Sequence, residues 1–315
     1  MQAILIERPR SARLVDVPVP EPAAGQVLVE IEGCGVCGSD LSAWLGASES
    51  GYPRPPGAPG HESWGRIAAV GDGVHGLSVG DRVATLAQRA YAQYDLAGAE
   101  TVVPLPPALD GKPFPGEALA CGVNASHRAA FRPGESVAVV GVGFLGAIIV
   151  QLAKNAGARV IVSSRRRYAQ RIGLAMGADE AIGLDEHTVD RVKEWNGGEL
   201  CDCVVEVTGV ERPLDVAGRL TKIRGRLVIA GYHQGGRRSI DLELWNWRGL
   251  DVVNAHERDP AVYARGMAEA VDAVVRGDLD PSPLYTDEFA LADAAAALEK
   301  AADRPDGFLK ALLRP

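Results

Sequence analysis

The longest apolar stretch of this chain, Val137 to Ala153, falls short of the roughly 20 residues that a membrane-spanning helix needs. It reads instead as strand, tight turn and helix. Val137-Ala138-Val139-Val140 is a β-branched run, Gly141-Val142-Gly143-Phe144-Leu145-Gly146 breaks it, and Ile148, Ile149, Leu152 and Ala153 then suit a helix packed on a sheet. A second strand is predicted at Arg159-Val160-Ile161-Val162, at the spacing of a β-α-β unit. The alternation continues through the apolar runs at 203–209 and 226–231, which predicts a parallel, doubly wound sheet. At the N-terminus, Met1 to Arg8 runs straight into a strand pattern, with no charged segment followed by a long apolar core and a small-residue cleavage site. Elsewhere the proline-rich stretch 104–115 predicts a rigid approach to the turn at 117–120, the Ala-rich stretch 290–302 a helix, and the polar stretch 185–198 a surface segment.

Three glycines between a strand and a helix suit a dinucleotide. The first permits the turn, the second lets backbone approach a pyrophosphate, and the third allows close helix packing. Gly141, Gly143, Phe144, Leu145 and Gly146 are therefore candidate cofactor contacts, with the positive end of the helix facing the phosphates. NAD-selective folds usually carry an acid about 20 residues beyond the glycines, on the ribose hydroxyls. Here Ser163-Ser164 stands there, followed by Arg165-Arg166-Arg167. With no carboxylate to repel a 2′-phosphate and guanidinium groups to bind one, NADP(H) is favoured over NAD(H). Arg165 is the preferred contact, with Ser164 beside it and Arg166 as a second candidate; the competing reading is a solvated helix start.

Cys37, His61 with Glu62, and Cys121 supply metal-ligand chemistry at wide spacing, within Gly35-Val36-Cys37-Gly38-Ser39-Asp40, Pro59-Gly60-His61-Glu62 and Leu119-Ala120-Cys121-Gly122. A catalytic zinc takes three protein ligands and keeps one position open, whereas structural sites close with four, usually in close pairs. Cys34-Gly35-Val36-Cys37 also fits a redox or zinc-ribbon pair, but a ribbon needs a second such pair. Cys201 and Cys203 lie in an apolar run and read as core thiols, and Cys34 as a packing residue.

Composition narrows the partners. At 315 residues, 47% hydrophobic and 23% charged, the chain has core for two domains. A net charge of −8 argues against nucleic acid, which requires clustered Lys and Arg. Five cysteines without a disulfide-like framework suit a reducing, cytoplasmic setting, and no membrane segment is expected.

These motifs, together with Val70-Gly71, Val79-Gly80-Asp81-Arg82-Val83, Ala90-Tyr91-Ala92-Gln93-Tyr94 and the closing segment 289–313, resemble the zinc-dependent medium-chain dehydrogenases related to alcohol, polyol and threonine dehydrogenases. The likeness spans almost the whole chain. It implies an α/β protein: a split GroES-like, β-rich catalytic domain over 1–121 and 259–315, a Rossmann domain over 122–258, and a cleft between them. Residue by residue, Cys37, His61 and Cys121 match the zinc ligands, and Glu62 an acid that can approach the metal. Asp40 matches the carboxylate that orients the imidazole, and Ser39 the hydroxyl that passes a proton to or from the substrate oxygen. Trp44 and Tyr91, flanking matched segments, are candidate pocket walls.

Departures from the pattern also carry expectations. Only Ala84 to Arg89 fills the place of a four-cysteine lobe, so one catalytic zinc and no structural zinc is expected. Ser42 stands where some relatives end the proton relay with histidine. Trp245 and Trp247 read as a subunit contact, with substrate contact as the alternative, and a homodimer or homotetramer is expected. The implied activity is hydride transfer between NADP(H) and a secondary alcohol or ketone, with polyols and sugar-like alcohols favoured. The rivals are a zinc-free reductase of activated double bonds, opposed by the intact Cys-His-Cys set, and a non-catalytic nucleotide sensor, opposed by Ser39 beside those ligands.

Overall fold

The computed structural model describes residues 1–47 and 51–315. The chain divides into two units, Met1–Ala120 with Arg258–Pro315, and Cys121–Glu257. The first unit opens with β1 (Gln2–Arg8) and β2 (Ser11–Asp16), an antiparallel pair, and continues through β3 (Gln26–Gly35), α1 (Leu41–Leu45), β4 (Glu62–Val70), β5 (Arg82–Thr85), β6 (Tyr94–Gly98) and β7 (Val102–Pro104). Helix α2 (Gly116–Ala129) leads into the second unit, where strands and helices alternate: β8 (Ser136–Val140), α3 (Phe144–Asn155), β9 (Arg159–Ser164), α4 (Arg167–Ala175) and β10 (Glu180–Gly183). They are followed by α5 (Thr188–Trp195), β11 (Cys201–Glu206), α6 (Glu211–Leu220), β12 (Thr221–Ile229), α7 (Leu242–Arg248) and β13 (Asp251–Asn254). The chain then rejoins the first unit with α8 (Pro260–Arg276), β14 (Asp287–Ala290), α9 (Ala294–Asp303) and β15 (Ala311–Arg314).

In the first unit, the described residues form a seven-stranded sheet ordered β14-β15-β3-β4-β5-β7, with β6 also on β3. The last strand, β15, pairs antiparallel with β3 through Leu313 and Cys34, so the end of the chain completes a sheet begun near its start. Period-two alternation turns Val27, Val29 and Ile31 into one core with Ile4, Ile6, Leu298 and Leu313. Burying each such side chain contributes about 1.5–3 kcal/mol.

The second unit is a parallel six-stranded sheet ordered β10-β9-β8-β11-β12-β13 among the described residues. Helix-covered parallel strands are buried on both faces, which is why Val137 to Val140 reads as an unbroken apolar run rather than an alternating one. The chain builds outward from β8 to β10, then returns to β11 on the other side. That reversal opens a crevice at the carboxyl ends of β8 and β11. Cys201 and Cys203 are closed off from solvent in β11, and burial pushes each thiol up to about 12. The polar stretch 185–198 contains α5, whose Thr188 and Val192 are buried. No helix among the described residues is long and apolar enough to cross a membrane.

Candidate functional site

Antiparallel pairing of β3 with β4 sets Gly35 opposite Glu62 and so brings the residues just beyond each strand end together. Cys37 follows β3 and caps the short turn Gly38–Asp40; its N–H donates to Asp40 Oδ2 at 2.9 Å. His61 precedes β4. The result is a cluster in which ligand atoms of Cys37, His61 and Glu62 all lie within 4.8 Å of one another. His61 Nδ1 lies 2.8 Å from Pro59 O and 3.2 Å from Asp40 Oδ1, both acceptors, which places a proton on Nδ1 and turns Nε2 toward the cluster. Ser39 Oγ is 3.4 Å from that Nε2. Ser42 donates its hydroxyl to Ser39 O at 3.0 Å, a bond that stays within the turn.

Electrostatics at this cluster favour a cation. Burial, and then the Glu62 carboxylate, push the Cys37 thiol up. Burial opposes a charged His61, yet Asp40 and Cys37 outweigh it and hold the imidazole well above its usual range. A thiol, an imidazole anchored through Nδ1 and a carboxylate are a donor set that fits zinc once the thiol and Nε2 give up their protons. Cys121, partly exposed in the second turn of α2, belongs to the other unit.

One buried cation already serves this cluster, and it was not foreseen. Lys310, just before β15, pairs its Nζ with Glu62 Oε2. A Cβ on Gly35 would collide with that carboxylate and come within 2.9 Å of Lys310 Cε, so glycine is required for the pair to form. The only sequence signal was a lysine set among Phe308, Leu309, Ala311 and Leu312.

The structure corrects the two pocket-wall expectations. Tyr91 is fully buried and donates its hydroxyl to Asp40 Oδ2 at 2.5 Å, so it supports Asp40 from behind. Trp44 is buried in the core of the first unit, its Nε1 donating to Glu299 Oε2 at 2.8 Å. Neither has a face left for a substrate. The two later tryptophans also part company: Trp245 is buried in its own unit, whereas Trp247 is 85% exposed.

In the second unit, Gly141 turns out of β8 with φ +101°, a conformation reserved for glycine. Gly143 caps α3, and a Cβ there would meet nothing within 4 Å, leaving the open space a pyrophosphate needs. A Cβ on Gly146 would strike Gly141 O, so α3 approaches the turn only through glycine. Phe144 and Leu145 form the first turn of α3. At the end of β9, Ser164 Oγ accepts Arg166 N–H at 3.3 Å, and Arg165 is exposed.

Comparison with known proteins gives this geometry a lineage. Residues 23–117 match the alcohol dehydrogenase GroES-like domain and residues 145–272 the zinc-binding dehydrogenase domain. An alcohol dehydrogenase of Geobacillus stearothermophilus is 31% identical over 315 residues, covering 89% of each chain. The chain belongs to the zinc-dependent medium-chain dehydrogenase/reductase superfamily. This medium-chain dehydrogenase is an alcohol dehydrogenase-like oxidoreductase with a GroES-like unit and a Rossmann unit. The 2-dehydro-3-deoxy-L-galactonate 5-dehydrogenase of Pseudoalteromonas atlantica is 26% identical over 96% of both chains. A Sinorhizobium meliloti 1021 structure, described as a zinc-binding dehydrogenase bound to NADP, covers 100% of this medium-chain dehydrogenase and 99% of its own chain, with TM-score 0.85 at 26% identity.

Proposed function

We propose that this oxidoreductase transfers hydride between NADP(H) and a secondary alcohol or its ketone, with one catalytic zinc held by Cys37, His61 and Cys121 and with Glu62 alongside. The observation that carries the reading is the convergence of Cys37, His61 and Glu62 within 4.8 Å, with the His61 ring tied back through Nδ1. A zinc ion held by these residues would supply Lewis acidity toward an alcohol or carbonyl oxygen, and a bound nicotinamide would supply or accept hydride. Asp40 and Pro59 O hold the imidazole in the ligating tautomer. Ser39 Oγ, next to His61, takes the substrate's hydroxyl proton in oxidation and returns it in reduction. Ser42 donates its hydroxyl to Ser39 O, so it does not offer Ser39 Oγ the acceptor that a relay histidine would supply.

Ser164 and Arg165 at the end of β9 support NADP(H) over NAD(H), since no acid stands there to repel a 2′-phosphate. The NADP carried by the Sinorhizobium meliloti relative is in line with this. The sugar-acid dehydrogenase among the relatives supports a polyol or sugar-like substrate. Trp247, with Val252 exposed on the edge strand β13, supports a second copy of this chain as partner.

Zinc per subunit, by elemental analysis of protein purified without chelators, tests the reading. One zinc in the parent, lost in Cys37→Ala and Cys121→Ala, with NADP-linked turnover on a panel of secondary alcohols, is the expected result. A folded parent without zinc would overturn it in favour of metal-free reductase chemistry.

A further inference from the structure

Glu206 ends β11 at the carboxyl edge of the parallel sheet, the edge on which Gly141 follows β8 and His233 follows β12. Its side chain is fully buried. Oε1 accepts the Thr208 N–H at 2.5 Å, the Gly209 N–H at 3.0 Å and the Thr208 hydroxyl. Oε2 lies 2.9 Å from His233 Nε2. A carboxylate accepts only, so the shared proton belongs to His233 Nε2, and Nδ1 presents a lone pair. That Nδ1 is buried and has no hydrogen-bond partner among the described residues.

The arrangement is built rather than incidental. A Cβ on Gly231 would strike Gly209 N and lie 2.8 Å from Glu206 Oε2, so the loop after β12 closes on the loop after β11 only through glycine. The imidazole is thereby oriented by a buried charge, yet one of its nitrogens is left unsatisfied. Buried acceptors without partners are costly and rare, and those that persist call for a ligand or another specific cause.

In a doubly wound sheet a dinucleotide lies across the carboxyl ends of the strands, its pyrophosphate at the first β-α turn and its two halves on either side of the reversal in strand order. Here β9, with Ser164 and Arg165, lies on one side of β8, and β11 and β12 lie on the other. We propose that His233, oriented by Glu206, is a binding residue for the nicotinamide riboside half of the cofactor, its Nδ1 accepting a ribose O–H or a carboxamide N–H. This deepens the cofactor reading above and rests on it.

Two conservative variants separate the two nitrogens. Glutamine reaches the Nε2 position and keeps a donor for Glu206, whereas asparagine keeps a polar atom at the Nδ1 position. Dissociation constants would be measured for NADPH and for adenosine 2′,5′-bisphosphate, which lacks the whole nicotinamide riboside and reports the adenosine half alone. His233→Gln should weaken NADPH about tenfold, the scale of one lost hydrogen bond, and leave adenosine 2′,5′-bisphosphate unchanged. His233→Asn should recover most of that loss. With the 3-acetylpyridine analogue, which has no carboxamide N–H, a loss that persists assigns the ribose hydroxyl and one that vanishes assigns the carboxamide. A His233→Gln variant binding NADPH like the parent, or weakening both ligands equally, would overturn the inference. A parent that binds neither ligand would instead remove the cofactor reading itself, and this inference with it.

Discussion

Lys310 and Glu62 form an ion pair shut away from solvent, their side chains 5% and 1% exposed. Burial works against the charged lysine, but Glu62, with Cys37 and Asp40 nearby, more than compensates and raises the lysine above its usual range. Removing one member of such a pair strands the other charge in the interior, at a cost of about 3–5 kcal/mol. Lys310→Met should therefore destabilise the metal-stripped protein by roughly that amount in denaturant unfolding, and adding Glu62→Gln should restore much of the loss. Simple additivity of the two substitutions would show that the pair is not coupled.

Tyr91 donates its hydroxyl to Asp40, the carboxylate beside His61 Nδ1. Replacing it by Phe frees Asp40 Oδ2 from one donor without touching a ligand. Partners of this kind are worth about 10–100-fold in metal affinity. Competition against a chromophoric chelator should show zinc affinity falling within that range for Tyr91→Phe; an unchanged affinity would make Tyr91 a packing residue alone.

Arg165 makes no ion pair among the described residues, which leaves its guanidinium available for a 2′-phosphate. Arg165→Ala should weaken NADP by about tenfold or more, the scale of a charge-assisted bond, while NAD is unaffected. Equal losses for both cofactors would remove the preference for NADP(H).

Asp202 sets an acid limit on the second unit. Partial burial opposes its charge, but Lys222 and the N–H and hydroxyl of Ser136 outweigh that and lower it from the usual 3.8 to about 2. Because the folded value lies below the unfolded one, the stabilisation is complete above about pH 4 and is lost as pH falls through about 2. Acid titration of unfolding free energy should show this slope in the parent and a flatter profile in Asp202→Asn. Identical profiles would place the acid sensitivity elsewhere.

Trp247, at the last turn of α7 just before the edge strand β13, is 85% exposed. Trp247→Lys should shift sedimentation from an oligomer toward a single chain, with the thermal midpoint of that chain little changed. If the parent already sediments as a single chain, the contact reading fails.

Much of this protein was legible residue by residue. Gly141 demands a positive φ wherever the chain goes, and β-branched runs spaced by helices demand a parallel sheet. Cys37 and His61 carry side chains of the kind that can ligate zinc. These are local properties, and the sequence by itself determined them, along with the superfamily. What it could not express is which distant side chain completes each site. Trp44 and Tyr91 flank the matched motifs in the chain, yet Trp44 turns inward to Glu299 and Tyr91 to Asp40. Lys310 meets Glu62 only because β15 pairs with β3 and β3 with β4 in one particular register. Hydrophobic periodicity sets which face of a strand is buried, but strand partners and register come from the packing of the whole sheet. Tertiary structure alone decided which buried polar groups found a partner and which, like His233 Nδ1, have none among the described residues.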